Sequence, residues 1–419
     1  MSNNSRVYYG EYSLKHWIDL ILQGNIKLPD YQRSFVWQEE DVKRMILSLY
    51  NGLFVPPVTI AHYKTTTGSQ NLIVDGQQRL TSIFLLAVGF VPDRDKFEEE
   101  DIIACGDDSR EDEDGLSKSN QSVKWTFDEL VRKHLSLDSL RSVLNSEEKY
   151  LPLHIKEITD VDDFLRKTFL GFSYIVPDPK KDQNAYFATL FRNINYWGIK
   201  LSSMESRRSL YYMNADLVRF FDGKTTDNKD VLCNIDIQEN LQPSKIDFVR
   251  YVSILSQYSI LGNANKVLVG YSAYSARELF YADYVSYIVG IEQGARQDKF
   301  NGFDFKAVFP DSSWNKRFDI IRETIGSASE YMELEQKNKH RMFVSWIDAD
   351  YWLFGLLYFI LFEGKKIDIK NDKLIATIRE IISTKKISND GAYAKSPNRL
   401  GNLRERINES IGIYKDYVL

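Results

Sequence analysis

The sequence predicts an α+β protein with two lobes, and three observations support this class. Short β-prone segments alternate with helical spacing of apolar residues over the first part of the chain. From about residue 216 onward the apolar spacing is mainly helical. A length of 419 residues exceeds what one compact core usually holds, so about two to three units are expected. We predict an N-terminal domain over residues 1–215 and a helical domain over residues 216–419.

The first elements follow from periodicity and from glycine and proline positions. "SLKHWIDLILQG" and "EEDVKRMILSLYNG" have helical spacing, and Gly24 and Gly52 follow as stop signals. The segments "IKLPDYQRSFVW" and "PPVTIAHYK" are short and β-prone, "NLIVD" is predicted to be a strand, and "RLTSIFLLAVG" a buried helix. The predicted order is helix, extended loop, helix, strand, strand, helix.

The later elements are less regular at first. Residues 93–115 are strongly acidic, which favours a solvated loop or insertion, with a regulatory or cation-binding role as the alternative. A strand is predicted around Tyr174 to Val176 and a helix through Phe187 to Phe191. Six helices are predicted beyond residue 216, in "FVRYVSILSQYSIL", "ARELFYADYVSYIVGI", "RFDIIRETIGSASEYMEL", "ADYWLFGLLYFILF", "KLIATIREII" and "NLRERINESIGIY".

Composition narrows the classes of function. The net charge of −5 gives no general attraction to nucleic acid or to anionic membranes, so any DNA contact needs a local basic patch. "ESRRS" and "RLGNLRERI" are the candidate stretches for such a patch. The two cysteines fit neither a disulfide framework nor a metal ribbon, which suits a reducing cytoplasm. The longest apolar run, Tyr351 to Phe362, is too short to span a bilayer and is predicted to be a buried helix.

The stretch "LIVDGQQRLTSI" carries the strongest chemical signal. A strand that ends in Asp75, turns on Gly76 and enters a helix near Arg79 presents an acid, backbone amides and a guanidinium at one sheet edge. Helix N-termini and arginine both bind phosphate, and a carboxylate can hold Mg²⁺ together with substrate phosphates. Gln77 and Gln78 could orient a water or read a base edge. The alternative is a turn whose side chains satisfy one another and the helix end.

Two other stretches could contribute to the same site. In "LPDYQRSFVW", Arg33 could meet a phosphate and Tyr31 could stack on a base or sugar. In "FRNINYWGIKLSSMESR", Asn195 and Gly198 form a turn that could close over a ligand, although such residues more often serve the turn itself. Other chemistries lack support, because the sequence has no P-loop, no nucleophile elbow and no paired-histidine zinc motif.

Together the three stretches resemble domain-of-unknown-function family 262, the family of the N-terminal half of GmrSD-type modification-dependent restriction proteins. The resemblance spans about residues 10 to 215. It implies a ParB/sulfiredoxin-like fold and a role in bacterial defence against phage DNA, and several family members bind or hydrolyse nucleoside triphosphates. Many relatives also carry a C-terminal histidine-metal nuclease domain, of which residues 216–419 show no motif. The third stretch departs as well, since relatives more often have a threonine and a glycine where this chain reads "NINYWG".

The resemblance implies a set of site residues. Catalytic roles are predicted for Asp75, Gln77, Gln78 and Arg79, with Asp75 also the predicted metal ligand. Nucleotide binding is predicted for Tyr31, Gln32, Arg33, Gly76, Thr81, Asn195, Gly198, Glu205 and Arg207.

The predicted function is that of a nucleotide-binding and NTP-hydrolysing regulatory or sensor protein of an anti-phage or restriction system. Mg²⁺ is the expected cofactor. The expected partners are a nucleoside triphosphate, DNA, a separate nuclease or modification subunit and a second copy of the chain, with no membrane. Two alternatives remain open: a DNA-binding or modified-DNA-sensing module that recruits a separate nuclease, and a metal-dependent DNA nuclease.

Overall fold

The computed structural model describes most of the chain. The described residues are 5–29, 35–65, 68–97, 103–104, 123–133, 135–178, 182–183, 185–187, 189–190, 207–212, 214–239, 242–269, 274–290, 299–300, 302–303, 305, 313–337, 340–388 and 399–419. Two compact units are present, residues 1–100 with 115–212, and residues 101–114 with 213–419. Both contain helices and strands, so the predicted α+β class is confirmed.

The elements alternate along the chain. The strands are β1 (Arg6–Ser13), β2 (Val58–Thr65), β3 (Gly68–Asp75), β4 (Phe90–Pro92), β5 (Ile103–Ala104), β6 (Tyr150–Pro152), β7 (Phe169–Val176), β8 (Ile235–Glu239), β9 (Gln242–Ile246), β10 (Glu335–Lys337) and β11 (His340–Phe343). The α-helices are α1 (Leu14–Leu22), α2 (Glu39–Tyr50), α3 (Gln77–Val88), α4 (Asp128–Val131), α5 (Leu137–Ser146), α6 (Val161–Lys167), α7 (Ala215–Phe221), α8 (Phe248–Leu261), α9 (Tyr274–Val289), α10 (Trp314–Ala328), α11 (Trp346–Leu357), α12 (Asp372–Ser388) and α13 (Leu400–Tyr414).

The first unit is built on a four-stranded sheet in the order β1-β7-β2-β3. β2 runs parallel to β7, and the other two pairings are antiparallel. β1 was not predicted, because its aromatic and polar residues are nearly all exposed and give no pattern of one buried face. A separate pair, β4 and β6, is antiparallel.

Helix α3 is the centre of this unit. It contacts α1, α2, α5 and α6, and all of its residues are buried. A helix that is apolar over most of its surface is stable only inside a core, which explains why "LTSIFLLAV" follows the polar turn. The predicted helices α1, α2 and α3 and strands β2, β3 and β7 are confirmed, although α3 begins at Gln77 rather than near Arg79.

The second unit is mainly helical. All six helices predicted there are present as α8 to α13, and α11 continues as a π-helical turn over Tyr358–Phe362. Its five-stranded sheet, in the order β10-β11-β8-β9-β5, was not predicted, because strands of two to five residues carry too little alternation to be detected. β5 comes from the acidic stretch and pairs with β9.

The apolar run from Tyr351 to Phe362 forms a buried helix, as predicted. Over the described ranges, no helix combines the length and the apolar character that crossing a bilayer demands.

Candidate functional site

The turn between β3 and α3 depends on a glycine. Gly76 has φ +96°, in the left-handed region, and directly precedes the first residue of α3. A Cβ at this position would lie 2.9 Å from Arg79 Nη2 and 3.0 Å from Val58 Cγ2. Backbone conformation and close packing therefore both require glycine here.

Arg79 folds back over this glycine onto the end of β3. Its Nη2 donates a hydrogen bond to Asp75 Oδ2 at 2.6 Å. The Arg79 side chain is 9% exposed, whereas that of Asp75 is 39% exposed. The pair thus has a buried cation and an accessible carboxylate.

Two features of this turn favour an anion. The N-terminus of α3 has no side-chain cap at Gly76, and the positive end of the helix dipole there favours negative charge. Arg79 Nε is buried and has no acceptor among the described residues. A buried guanidinium donor without an acceptor, beside a helix N-terminus, is an arrangement that phosphate satisfies.

Gln78 links this turn to the chain that follows the "LPDYQR" stretch. Its Oε1 accepts a hydrogen bond from the Val36 amide at 3.2 Å, and Arg94 Nη1 donates to the Val36 carbonyl at 3.2 Å. Val36 is therefore held from both sides.

The chain that precedes "LPDYQR" is held on β3. The Lys27 amide donates to the Asn71 carbonyl at 2.9 Å, and the Ile73 amide donates to the Lys27 carbonyl at 2.9 Å. The described residues on both sides of the stretch are thus anchored to β3 or α3.

The remaining predicted site residues are divided between the core and undescribed segments. Gln77 and Thr81 lie in α3 at 8% and 2% exposure, and Arg207 is buried in the same unit at 2% exposure. The other predicted residues lie outside the described residues: Tyr31, Gln32, Arg33, Asn195, Gly198 and Glu205.

Two arginines of the candidate basic stretches are not available at the surface. Arg207 and Arg406 are buried, at 2% and 0% exposure. Arg404 donates through Nε and Nη2 to the Val267 carbonyl, at 2.9 and 2.7 Å. The sequence interpretation of "RLGNLRERI" as a nucleic-acid surface was wrong at Arg406, which is fully buried, whereas Arg404 is half-buried.

No cluster of three or more His, Cys, Asp or Glu side chains with metal-ligand geometry occurs within the part of the chain that the structure describes. The described residues therefore do not build a protein-only cage of three such ligands around Asp75.

Sequence reasoning missed one neighbour of Asp75. Thr59, at the start of β2, lies opposite Asp75 in the antiparallel pairing. The signal was available, because "PPVTIAHYK" and "NLIVD" form a hairpin whose ends must meet, but the register was not deduced.

One family model matches the part of the chain that contains the Asp75–Arg79 turn. Residues 14–212 match the model of the family described as "GmrSD restriction endonuclease, N-terminal domain". This match confirms the predicted resemblance at the level of that domain.

One relative is the uncharacterized protein MJ0686 of Methanocaldococcus jannaschii, which is 26% identical in a region that covers 47% of this chain and 41% of that protein. This chain therefore spans about two fifths of the relative's length. No solved structure matches.

Proposed function

We propose that this protein binds a nucleoside triphosphate at the Asp75–Arg79 turn, hydrolyses it, and acts as a regulatory or sensor protein of a DNA-restriction or anti-phage system. The single observation that carries the proposal is the Arg79 guanidinium. It is buried over Gly76, bonded to the accessible Asp75 carboxylate, and has an unused Nε donor beside the uncapped N-terminus of α3.

Each residue of the turn then has a separate task. Arg79 and the first amides of α3 bind phosphate oxygens, which carry the charge of the ligand. Gln78 is a positioning residue, because its Oε1 is bonded to the Val36 amide. Gln77, the first residue of α3, is proposed to orient the attacking water. Tyr31, Gln32 and Arg33 are proposed to contact the ligand from the stretch whose flanks are anchored on β3 and α3.

The residues present fit Mg²⁺ bound through the ligand. Mg²⁺ commonly uses one or two carboxylates and completes its coordination with substrate phosphates and waters. Asp75 supplies one accessible carboxylate, with Oδ2 bonded to Arg79. When bound, the ion would neutralise phosphate charge, while Arg79 and the α3 amides hold the phosphates in place.

The match to the N-terminal domain of a restriction endonuclease supports the biological setting. DNA recognition and a separate nuclease or modification subunit are part of the proposal. A metal-dependent nuclease is less well supported, because Asp75 offers one carboxylate rather than the several that a two-metal site needs.

The test measures nucleotide binding and phosphate release. Purified wild type, Asp75→Ala and Arg79→Ala are titrated with ATP, GTP, CTP and UTP in the presence of Mg²⁺. Wild type should bind at least one of them, and both variants should lose binding and phosphate release by about 100-fold. Arg79→Ala loses the charged contact to phosphate, and Asp75→Ala loses the carboxylate that would hold Mg²⁺.

Asp19→Ala is the matched control. Asp19 also pairs with a basic residue four positions away, and its side chain is also 39% exposed. Asp19→Ala should bind and hydrolyse the nucleotide as wild type does. The proposal fails if wild type binds none of the four nucleotides. A salt-dependent DNA shift that persists in Arg79→Ala, without nucleotide binding, would instead support the DNA-sensing alternative.

A further inference from the structure

The strand register places four side chains in one row across the sheet of the first unit. Thr59 of β2 lies opposite Asp75 on one side and opposite Ser173 of β7 on the other. Ser173 lies opposite Tyr9 of β1. Residues directly opposite each other on neighbouring strands project from the same face, as Thr59, Ser173 and Tyr9 do. Asp75 ends the row at a register shift of β3 against β2, between Thr59 and Ile60. We call Asp75, Thr59, Ser173 and Tyr9 the sheet row.

The sheet row lies on the face away from α1. The adjacent residues Val58 and Phe172, which project from the other face, belong to or pack against the hydrophobic core. Phe172 contacts Trp17 of α1, with ring centroids 6.1 Å apart. Because successive strand residues alternate between faces, Thr59 and Ser173 point away from that core.

The sheet row is polar and accessible. Tyr9 is 79% exposed, and the Asp75 side chain is 39% exposed. Thr59 and Ser173 are half-buried, and Ser173 Oγ donates to Thr59 Oγ1 at 3.0 Å. Farther along the same face the strands become apolar and buried, at Ala61 and Ile175. Hydroxyl groups therefore occur at the end of the sheet where Asp75 lies.

The chemistry of the sheet row matches a nucleoside. Adjacent hydroxyls can each donate and accept, as the hydroxyls of a sugar do. An exposed tyrosine ring offers a flat surface on which a base stacks. Neighbouring strands are about 4.8 Å apart, so the row extends about 14 Å from Asp75 to Tyr9.

We infer that the sheet row binds the nucleoside of the nucleotide whose phosphates the Asp75–Arg79 turn takes, with Thr59 and Ser173 on the sugar and Tyr9 on the base. This inference rests on the proposed function. It makes Thr59, Ser173 and Tyr9 the residues that distinguish a nucleoside triphosphate from a bare phosphate chain.

The test compares nucleotides with inorganic tripolyphosphate by calorimetric titration in Mg²⁺. Wild type should bind the tightest of ATP, GTP, CTP and UTP more strongly than tripolyphosphate. Tyr9→Ala should weaken that nucleotide about tenfold through lost stacking. Thr59→Val should weaken it about fivefold through a lost hydroxyl. Neither variant should change tripolyphosphate binding.

Conservative and opposite-face variants serve as controls. Thr59→Ser keeps the hydroxyl and Tyr9→Phe keeps the ring, so both should bind as wild type does. Tyr8→Ala removes a tyrosine that is 48% exposed on the same strand but projects from the other face, opposite Tyr174. It should leave nucleotide affinity unchanged. A loss of affinity in Tyr8→Ala equal to that in Tyr9→Ala would contradict the inference.

The outcomes separate the two proposals. If wild type binds a nucleotide but Tyr9→Ala and Thr59→Val bind it equally well, the Thr59–Ser173 hydrogen bond is only a cross-strand contact and the inference is overturned. The inference is also overturned if wild type binds tripolyphosphate as tightly as it binds the nucleotides. If wild type binds no nucleotide, the proposed function fails as well.

Discussion

Each unit holds an aspartate bonded to arginine, but the two carboxylates differ in their access to solvent. In the first unit, the Asp75 side chain is 39% exposed and has one bond to Arg79. In the second, Asp350, Arg250 and Arg406 are all 0% exposed. Arg250 binds both carboxylate oxygens at 2.7 and 2.9 Å, Arg406 Nε donates at 2.7 Å and Tyr251 donates at 2.8 Å.

The difference separates the proposed binding site from a structural ion pair. Four hydrogen bonds surround Asp350, and Arg250 also lies over the Trp346 ring at 4.3 Å, so a ligand has no approach. This network links α8, α11 and α13 through their side chains. At Asp75 the carboxylate faces solvent. The same ion pair therefore stabilises a core in one unit and remains available to a ligand in the other.

The largest expected effect comes from removing the buried carboxylate. Asp350→Ala leaves the guanidinium groups of Arg250 and Arg406 in the core without the carboxylate that pairs with them. Breaking a buried ion pair in this way costs about 3–5 kcal/mol. Asp75→Ala should cost less than this, because the Asp75 carboxylate is 39% exposed, although the variant leaves the Arg79 guanidinium, 9% exposed, without that partner. Urea unfolding, with hydrogen exchange of α8 and α11 to assign the unit, measures both. Equal losses of unfolding free energy in the two variants would contradict the comparison.

The stability that the buried Asp350 carboxylate contributes should depend on pH. Burial alone would raise the pKa of Asp350, but the charges of Arg250 and Arg406, with hydrogen bonds from Arg250 and Tyr251, outweigh it and hold the pKa below its usual range. A lowered folded-state pKa contributes stability that is fully present above the unfolded pKa of about 3.9 and is lost as pH falls through the folded pKa.

The difference in unfolding free energy between wild type and Asp350→Asn should therefore shrink below about pH 4. Urea unfolding of both proteins at neutral pH and near pH 3 measures it. A difference that stays constant over this range would mean that Asp350 is not stabilised as a carboxylate.

Gly76 and Gly89 offer a matched pair on one helix. Both have positive φ, +96° and +81°, and they flank α3 at its start and its end. A Cβ on Gly89 meets nothing within 4 Å, whereas one on Gly76 meets Arg79 and Val58. Alanine should cost about 1–3 kcal/mol of backbone strain at either position.

Only Gly76→Ala should also displace Arg79 from Asp75 and abolish nucleotide binding. Thermal unfolding and nucleotide titration of both variants measure these effects. If Gly89→Ala abolished nucleotide binding as well, the contact between Arg79 and Gly76 would not be the cause.

The smallest effect is expected at Gln78. Gln78→Ala removes the acceptor for the Val36 amide and should cost about 1 kcal/mol. Gln78→Glu keeps an acceptor oxygen and should retain most of that stability. Urea unfolding compares the two, and nucleotide titration shows whether holding Val36 matters for the ligand. If Gln78→Glu were as unstable as Gln78→Ala, Gln78 would not stabilise the protein through the hydrogen bond that its Oε1 accepts from the Val36 amide.

Much of the fold was predictable because periodicity is local. The apolar spacing of α1, α2 and α8 to α13 predicted helices that the structure confirms, and the run at Asp75–Arg79 was correctly placed between a strand and a helix. Exposed β1 and the short strands β8 to β11 were missed, since neither a buried face nor a long alternation marks them. The side-chain register was also missed, and with it the sheet row, because the pairings of β7 with β1 and β2 join residues more than 100 positions apart.

By itself, the sequence determined the α+β class, most of the helices and the chemical types gathered at the turn from Asp75 to Arg79, because these depend on neighbours along the chain. Only the tertiary structure decided which charges face solvent. Arg250 and Asp350 are separated by 100 positions along the chain, yet they form a buried ion pair in the core. Arg79 lies four positions from Asp75 and leaves its carboxylate accessible. Burial is set by what packs around a side chain, and that packing comes from distant segments.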